Sequence, residues 1–299
     1  MLSFADEEGA RFNTPTFGSK ALAGRLDLPA VLERRDDAGV SLREAMRDGG
    51  VDPETIDRAP EWLRERLAGF VEIHIDQTTE LARAGEPVGV VSGLAARTRL
   101  EVRLTGRADH AGTTPRAERR DALSAAARLI VGAEDLAGAD SPLDGDQPPL
   151  TVTTSRIITR PNAPTTIAAE VRLWIDARAP GFDAIDAWRA QVDSLVGELA
   201  ERTGVEISVA VASRSDPREF APDVRGALAR AAEDVLGHAP PELVCFAGHD
   251  AGVVAERVPA AMLFVRNGTG VSHSPDETVS LEDAAVAARV VARALEGLA

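Results

Sequence analysis

Tyrosine is absent from this 299-residue chain, cysteine occurs once, as Cys245, and lysine once, as Lys20. A single thiol cannot build a disulfide framework, so a reducing compartment is the simplest expectation. Aromatic residues make up only 4%, which leaves Ala, Val, Leu and Ile to form the core. No apolar run approaches the roughly 20 residues that a membrane span needs. Acids stand where the basic start of a signal peptide would be, and the expectation is a cytoplasmic protein. Basic residues are also outnumbered: 33 Lys and Arg face 48 Asp and Glu, for a formal net charge of −15. Nucleic acids and anionic membranes need a positive field, so neither is expected as a partner. Local Arg or His clusters could still receive an anionic substrate.

What is present is an ordinary globular composition, 44% hydrophobic, in a chain longer than one core usually serves. Two domains, or one domain with an insertion, are expected. The opening stretch FADEEGARF, residues 4 to 12, reads as the end of a buried strand at Phe4-Ala5 followed by an acidic turn at Gly9. A short helix is expected over 18–24 and broken helical pieces over 40–68. GFVEIHIDQ, from Gly69, reads as a strand covered on both faces, because Phe70, Val71, Ile73 and Ile75 are too apolar for a half-exposed surface.

Period-two alternation marks a strand from Thr98, and helical spacing marks 121–136. Strands are expected from Leu150 and Ile167, a helix over 182–202 and a strand from Val205. Strand, helix, strand, strand, helix, strand is the split βαβ order of a ferredoxin-like domain, assigned to 97–213. The flanks, 1–96 and 214–299, are expected to share one discontinuous α/β domain. There Pro222 opens a helix through Leu236, AMLFV from Ala261 is a buried strand, and Ser280 with Asp283 forms a capping box for the last helix.

Three groups of residues could carry chemistry. Asp6-Glu7-Glu8 lies at a strand's carboxyl end, where α/β folds place ligands; a solvated acidic loop is the plain alternative. His74, in EIHIDQ, could be a core histidine or a ligand. AGHDAG and GTGVSHSPDE set His249 and His273 among glycines and carboxylates on turns. Four of the five histidines, His74, His110, His249 and His273, thus sit at strand ends or glycine-rich loops beside acids. Carboxylates and imidazoles without thiolates suit a catalytic Zn²⁺, Mn²⁺, Co²⁺ or Ni²⁺ site. Of two adjacent glutamates one can bind a metal while the other moves a proton, and a divalent cation offsets their repulsion.

FADEEGARF, EIHIDQ, GRADHAGTTPRAERRDAL, AGHDA and VSHSPDE, in this order, resemble the carbamoylase branch of the dinuclear-metal aminoacylase and carboxypeptidase superfamily. That branch includes N-carbamoyl-L-amino acid hydrolases, allantoate amidohydrolases and β-ureidopropionases. The resemblance implies a metal-binding α/β catalytic domain interrupted by a ferredoxin-like lid and dimerisation domain, two divalent ions (zinc or manganese, with cobalt or nickel as alternatives) and a homodimer. It implies Glu7 as general base, Glu8, His74 and His273 as metal ligands, and His110 as the histidine that polarises the scissile carbonyl or holds substrate. Arg178 matches the arginine that grips the substrate carboxylate, and Gln77 and His249 match positions lining the pocket. The implied substrate is a small ureido or N-acyl amino acid.

The sequence departs from the pattern in places. Thr165 replaces an asparagine that contacts substrate, Arg116 replaces a methionine, and Cys245-Phe246 replace Ser-Gly before AGHD. The H-x-D motif and bridging aspartate that precede the double glutamate in the family have no counterpart upstream of Glu7. The expectation is therefore a catalytic domain incomplete at its amino terminus. The implied function is metal-dependent hydrolysis of a C–N bond in a ureido acid. A dipeptidase or N-acyl amino acid deacylase of the same superfamily, and a non-catalytic dimerising fragment, stand as alternatives.

Overall fold

Residues 1–4, 6–138 and 150–298 are described by a computed structural model. They fall into two units: Met1–Leu94 with Arg218–Ala299, and Ala95–Pro217. Unit 1 begins with α1 (Phe17–Ala23), α2 (Leu28–Leu32), α3 (Leu42–Asp48), α4 (Ala59–Arg66), β1 (Phe70–Ile75), α5 (Glu80–Ala84) and β2 (Val88–Leu94). Unit 2 carries β3 (Ala96–Thr105), β4 (Asp109–His110), α6 (Ala122–Asp135), β5 (Thr151–Arg160), β6 (Thr166–Ile167), β7 (Glu170–Ala179), α7 (Phe182–Thr203) and β8 (Glu206–Ser215). Unit 1 resumes with β9 (Arg218–Glu219), α8 (Pro222–Leu236), β10 (Glu242–Cys245), α9 (Asp250–Val254), β11 (Ala260–Val265) and α10 (Leu281–Leu298).

The sheet of unit 1 runs β1-β11-β2-β10, with β9 paired to β2. All six residues of β11 are buried, as the run AAMLFV requires of an interior strand covered on both faces. Val88, Val90 and Val91 of β2 join Met262, Leu263 and Phe264 in a core closed by Leu228 of α8 and Val290 of α10. Each such side chain contributes about 1.5–3 kcal/mol by leaving water. Local chemistry sets the helix ends. Pro222 occupies the first turn of α8 and Gly237, at φ 82°, ends it. Ser41 and Glu44 exchange hydrogen bonds as a capping box on α3.

Several expectations are corrected here. β1 is not covered on both faces, since Ile73 is 45% exposed, and among the described residues its one strand neighbour is β11, which makes it an edge strand. Leu2–Phe4 pair with no strand. Phe4 instead packs against Phe70 with ring centroids 6.0 Å apart, and Ala5 lies outside the described residues. Ser280 does cap α10 through the Asp283 amide at 3.0 Å. The reciprocal half is missing, because the buried Asp283 carboxylate forms a two-pronged pair with Arg266 at 2.8 and 3.0 Å. β2 and β10 were not expected. Two glycines interrupt VGVVSGL and weaken its strand signal, yet Gly93 is what lets β9 approach: a Cβ there would lie 2.3 Å from the Arg218 carbonyl oxygen.

The four-stranded sheet of unit 2 is antiparallel, ordered β5-β7-β3-β8, and packs with α6 and α7 in the ferredoxin-like arrangement; β4 and β6 form a separate two-stranded pair. Alternation in β3 decides its faces. Leu100, Val102 and Leu104 are buried with Leu129 of α6 and with Ile185, Trp188 and Leu199 of α7, and the Trp188 indole nitrogen donates to the Ala133 carbonyl at 2.9 Å. The opposite face is charged. Arg156 and Arg172 stack on the Trp174 ring at 4.7 and 4.6 Å. Arg172 pairs with Glu101 at 2.7 Å, and this hydrogen bond, aided by Arg103, holds the Glu101 carboxyl down at about 2.

Candidate metal and catalytic site

The acidic turn is a tight structure. The Gly9 amide donates to the Asp6 carbonyl at 3.1 Å and the Thr16 amide to the Glu7 carbonyl at 2.6 Å. Gly9 sits at φ 67°, and a Cβ there would come within 2.3 Å of the Pro15 nitrogen, so glycine is required. This closure holds Glu7 and Glu8 side by side in unit 1. Burial, then the neighbouring Glu8 and Asp250 carboxylates, raise the Glu7 carboxyl to about 7, with His273 opposing. Glu8 is more open, and its Oε1 lies 3.0 Å from His273 Nε2.

His273 reaches that position on a loop organised by Asn267, which is fully buried. The Asn267 Oδ1 accepts from the Thr269 amide and hydroxyl and the Gly270 amide, and its Nδ2 donates to the Val271 carbonyl. Glu277 then accepts from the His273 amide at 3.1 Å and the Ser272 hydroxyl at 3.2 Å. His273 has φ 56°, a strained backbone for a non-glycine residue that costs about 1–3 kcal/mol.

A second group forms on β1. Glu72 and His74 are two residues apart on a strand and so share a face. His249 immediately precedes α9 and is 2% exposed; its ring centroid is 4.1 Å from that of His74. Glu72, His74 and His249 each present a ligand atom, all within 4.8 Å of one another. The His74 Nδ1 lies 2.7 Å from the Ile75 carbonyl oxygen, which can only accept, so the proton sits on Nδ1 and Nε2 is left to ligate. Burial, then the nearby His74, push His249 down to about 3, so its imidazole is neutral, as a metal ligand must be. Glu72 accepts from the Ala251 amide at 2.6 Å. Its carboxyl is nonetheless raised to about 7, by burial first, against that hydrogen bond and with help from Asp250 and Glu7. Burial also raises Asp250.

These side chains fit a divalent cation. Both ring nitrogens of His249 and one carboxylate oxygen of Asp250 are buried without a hydrogen-bond partner among the described residues. The His249 Nδ1 is 3.8 Å from Glu72, too long for a hydrogen bond. Such orphaned groups cost about 1–3 kcal/mol each. A cation would satisfy the unprotonated nitrogen of His249 and relieve the mutual repulsion of Glu7, Glu72 and Asp250. Carboxylate with imidazole is a donor set for zinc or manganese in a catalytic site.

The structure thus brings Glu8 to His273, and His74 to His249, with Glu7 interacting electrostatically with Glu8, His273, Glu72 and Asp250. Gln77 is partly buried just beyond β1. Its neighbour Asp76 is structural: fully buried, it accepts from the Thr78 amide and hydroxyl and from the Leu81 amide. Glu72 and Asn267 were not among the site residues expected, and Asp250 was noted only as the acid beside His249 in AGHDAG. For Glu72 a signal existed, its place two residues before His74 on one strand; Asn267 depends on contacts that no spacing encodes.

His110, Thr165 and Arg178 belong to unit 2. The His110 Nδ1 accepts from the Gly112 and Thr113 amides at 3.0 and 3.1 Å, which places the ring proton on Nε2. The Thr165 carbonyl accepts from the Ala111 amide at 2.9 Å, beside the β4–β6 pairing of His110 with Thr166. Arg178 donates to Asp176 at 2.6 Å.

The model of peptidase family M20/M25/M40 matches residues 1–297. An N-carbamoyl-L-amino acid amidohydrolase of Geobacillus stearothermophilus is 36% identical over 97% of this chain and 69% of its own length. An allantoate amidohydrolase of Bacillus subtilis is 32% identical over the whole chain and 70% of its own length. The crystal structure of a hydantoinase/carbamoylase family amidase from Burkholderia ambifaria superposes with a TM-score of 0.82 at 30% identity, covering 99% of this chain and 68% of that one. The motifs that carried the resemblance, the two groups of ligand-type side chains and a family match along nearly the full length agree: this chain belongs to peptidase family M20/M25/M40.

Proposed function

We propose that the chain serves metal-dependent hydrolysis of a C–N bond in a small ureido acid, an N-carbamoyl-L-amino acid or allantoate. The observation that carries this reading is Glu7, a half-buried carboxyl raised to about 7 that interacts electrostatically with both members of the Glu8–His273 pair and with Glu72 of the group of Glu72, His74 and His249. The names of the relatives direct it to ureido substrates. Glu8, His74 and His273, with Glu72 and His249 beside them, are the side chains that would hold divalent ions. When bound, such an ion supplies Lewis acidity and lowers the pKa of water.

The roles of the chain's own residues follow from their chemistry. Glu7 takes a proton from the attacking water and returns it to the departing nitrogen. His110, with its proton on Nε2, is a donor suited to the carbonyl oxygen of the scissile group, where charge develops. Arg178 offers a guanidinium to the substrate carboxylate, in exchange for its contact with Asp176. Gln77 and Thr165 complete the polar contacts to substrate, while His249, expected among them, stands with the metal-ligand side chains. A homodimer through unit 2 is part of the same reading, supported by the edge strands β5 and β8 that its sheet leaves without a further neighbour among the described residues.

The test is to load the chain with zinc or manganese and assay ammonia release from allantoate and N-carbamoyl-L-amino acids beside amine release from dipeptides and N-acetyl amino acids. Turnover of the ureido compounds with a higher kcat/KM is the expected result. Preference for the dipeptides or acetylated compounds, or metal-loaded protein inert towards all of them, overturns it.

A further inference from the structure

Unit 2 contains a cavity of about 940 Å³ whose wall includes Arg107, Arg116, Arg119, Arg120, Arg128 and Arg202. Two carboxylates, Glu118 and Asp121, stand against these six guanidiniums, and Asp121 is already engaged in capping α6 through the Ser124 amide at 3.0 Å. Three of the arginines are held by the fold. Arg107 donates to Asp109 and to the Glu118 carbonyl, Arg119 to the carbonyls of Ala111 and Thr114, and Arg128 to the Ser124 carbonyl.

The other three are not held. Arg116, Arg120 and Arg202 are exposed and have no hydrogen-bond or ion-pair partner among the described residues. Gly204, which ends α7 at φ 64°, lies beside the Arg120 side chain. A concave concentration of positive charge is a local reversal in a chain of net charge −15. The positive charge that Glu118, Asp121 and the Asp109 partner of Arg107 leave unanswered calls for an anion from solution. Guanidinium matches phosphate oxygens two at a time, and the cavity volume falls within the range of small-molecule sites. A single carboxylate would leave most of the positive charge unanswered, whereas adjacent phosphates would meet all three unpartnered arginines.

The geometry points to a binding site in unit 2 for a small anion that carries a diphosphate group. Calorimetric titration of the full chain with inorganic diphosphate and, separately, with ADP tests this. Saturable binding near one per chain is expected, weakening as salt rises. The triple variant Arg116→Gln, Arg120→Gln, Arg202→Gln should bind at least tenfold more weakly, while Arg293→Gln in unit 1 leaves affinity unchanged. Tighter binding of ADP assigns the natural ligand to the nucleotides, and equal binding assigns recognition to the phosphates alone. The single exposed variants Arg116→Gln and Arg202→Gln, each expected to weaken binding, supply the answer if the triple variant misfolds. No saturable binding at millimolar ligand overturns the proposal. So does affinity that survives the arginine substitutions, which would place the anion at the metal-ligand side chains of unit 1.

Discussion

Glu7 concentrates the chemistry of unit 1 in one carboxyl. Its neighbours and its burial favour the protonated form, and a divalent cation beside it would favour the ionised form that can take a proton. Substituting Glu7→Gln keeps the shape and removes the base. With allantoate or an N-carbamoyl-L-amino acid as substrate, kcat is expected to fall by about 10²–10⁴-fold, with metal content unchanged by elemental analysis. Residual activity near that of the parent would remove Glu7 from the mechanism. Much of this site was legible in residue types: adjacent glutamates and glycine-flanked histidines are unusual enough to single out. Glu72 was passed over, because its place two residues before His74 marks a shared face and not a ligand until His249, 177 positions after it in the chain, packs against His74.

Strands and helices show where local pattern suffices. α8 begins at Pro222 and ends before Gly237 as its punctuation predicts, and β3 alternates as its sequence does. β2 is different, since its glycines look like breaks and serve as clearances. Gly93→Ala would force a methyl group to within 2.3 Å of the Arg218 carbonyl oxygen. Displacing β9 should cost about 1–3 kcal/mol, read as a lower urea midpoint with an unchanged slope. In unit 2, Asp176 joins Arg99 to Arg178 at 2.8 and 2.6 Å. Burial acts to raise its carboxyl, and the two arginines outweigh burial and leave it below its ordinary 3.8. A folded value below the unfolded one contributes stability in full above about pH 4 and loses it as the pH falls through the folded value. Asp176→Asn should therefore cost about 1–2 kcal/mol at pH 7, a modest figure because the arginines are 39% and 32% exposed. The difference from the parent protein should shrink towards pH 2 in urea titrations. A difference that stays constant with pH would assign the cost to packing.

The whole chain divides its labour between units of different construction. Among the described residues the groups suited to holding a metal, Glu72 with His74 and His249, and Glu8 with His273, lie in unit 1, while the sheet and helices of unit 2 close their own core. Zinc or manganese should therefore raise the melting temperature of one calorimetric transition and leave another in place. At a hundredfold excess over Kd the gain is about 2.7 kcal/mol. EDTA should reverse it, and His249→Ala should abolish most of it. A single transition that moves as a whole would show instead that the units unfold together.

Composition and periodicity alone carried the α/β class, the split βαβ order of the middle segment, the limits of the longer helices α6, α7, α8 and α10 and the residue types fit for a hydrolytic metal site, because these depend on neighbours three or four positions away or fewer. Which strand lies at an edge, which glutamate joins the histidines, where Asp283 sends its carboxylate and which arginines are left unpaired depend on residues tens to hundreds of positions apart. Those contacts exist only once burial has chosen one packing of the elements, and burial is a property of the folded chain as a whole.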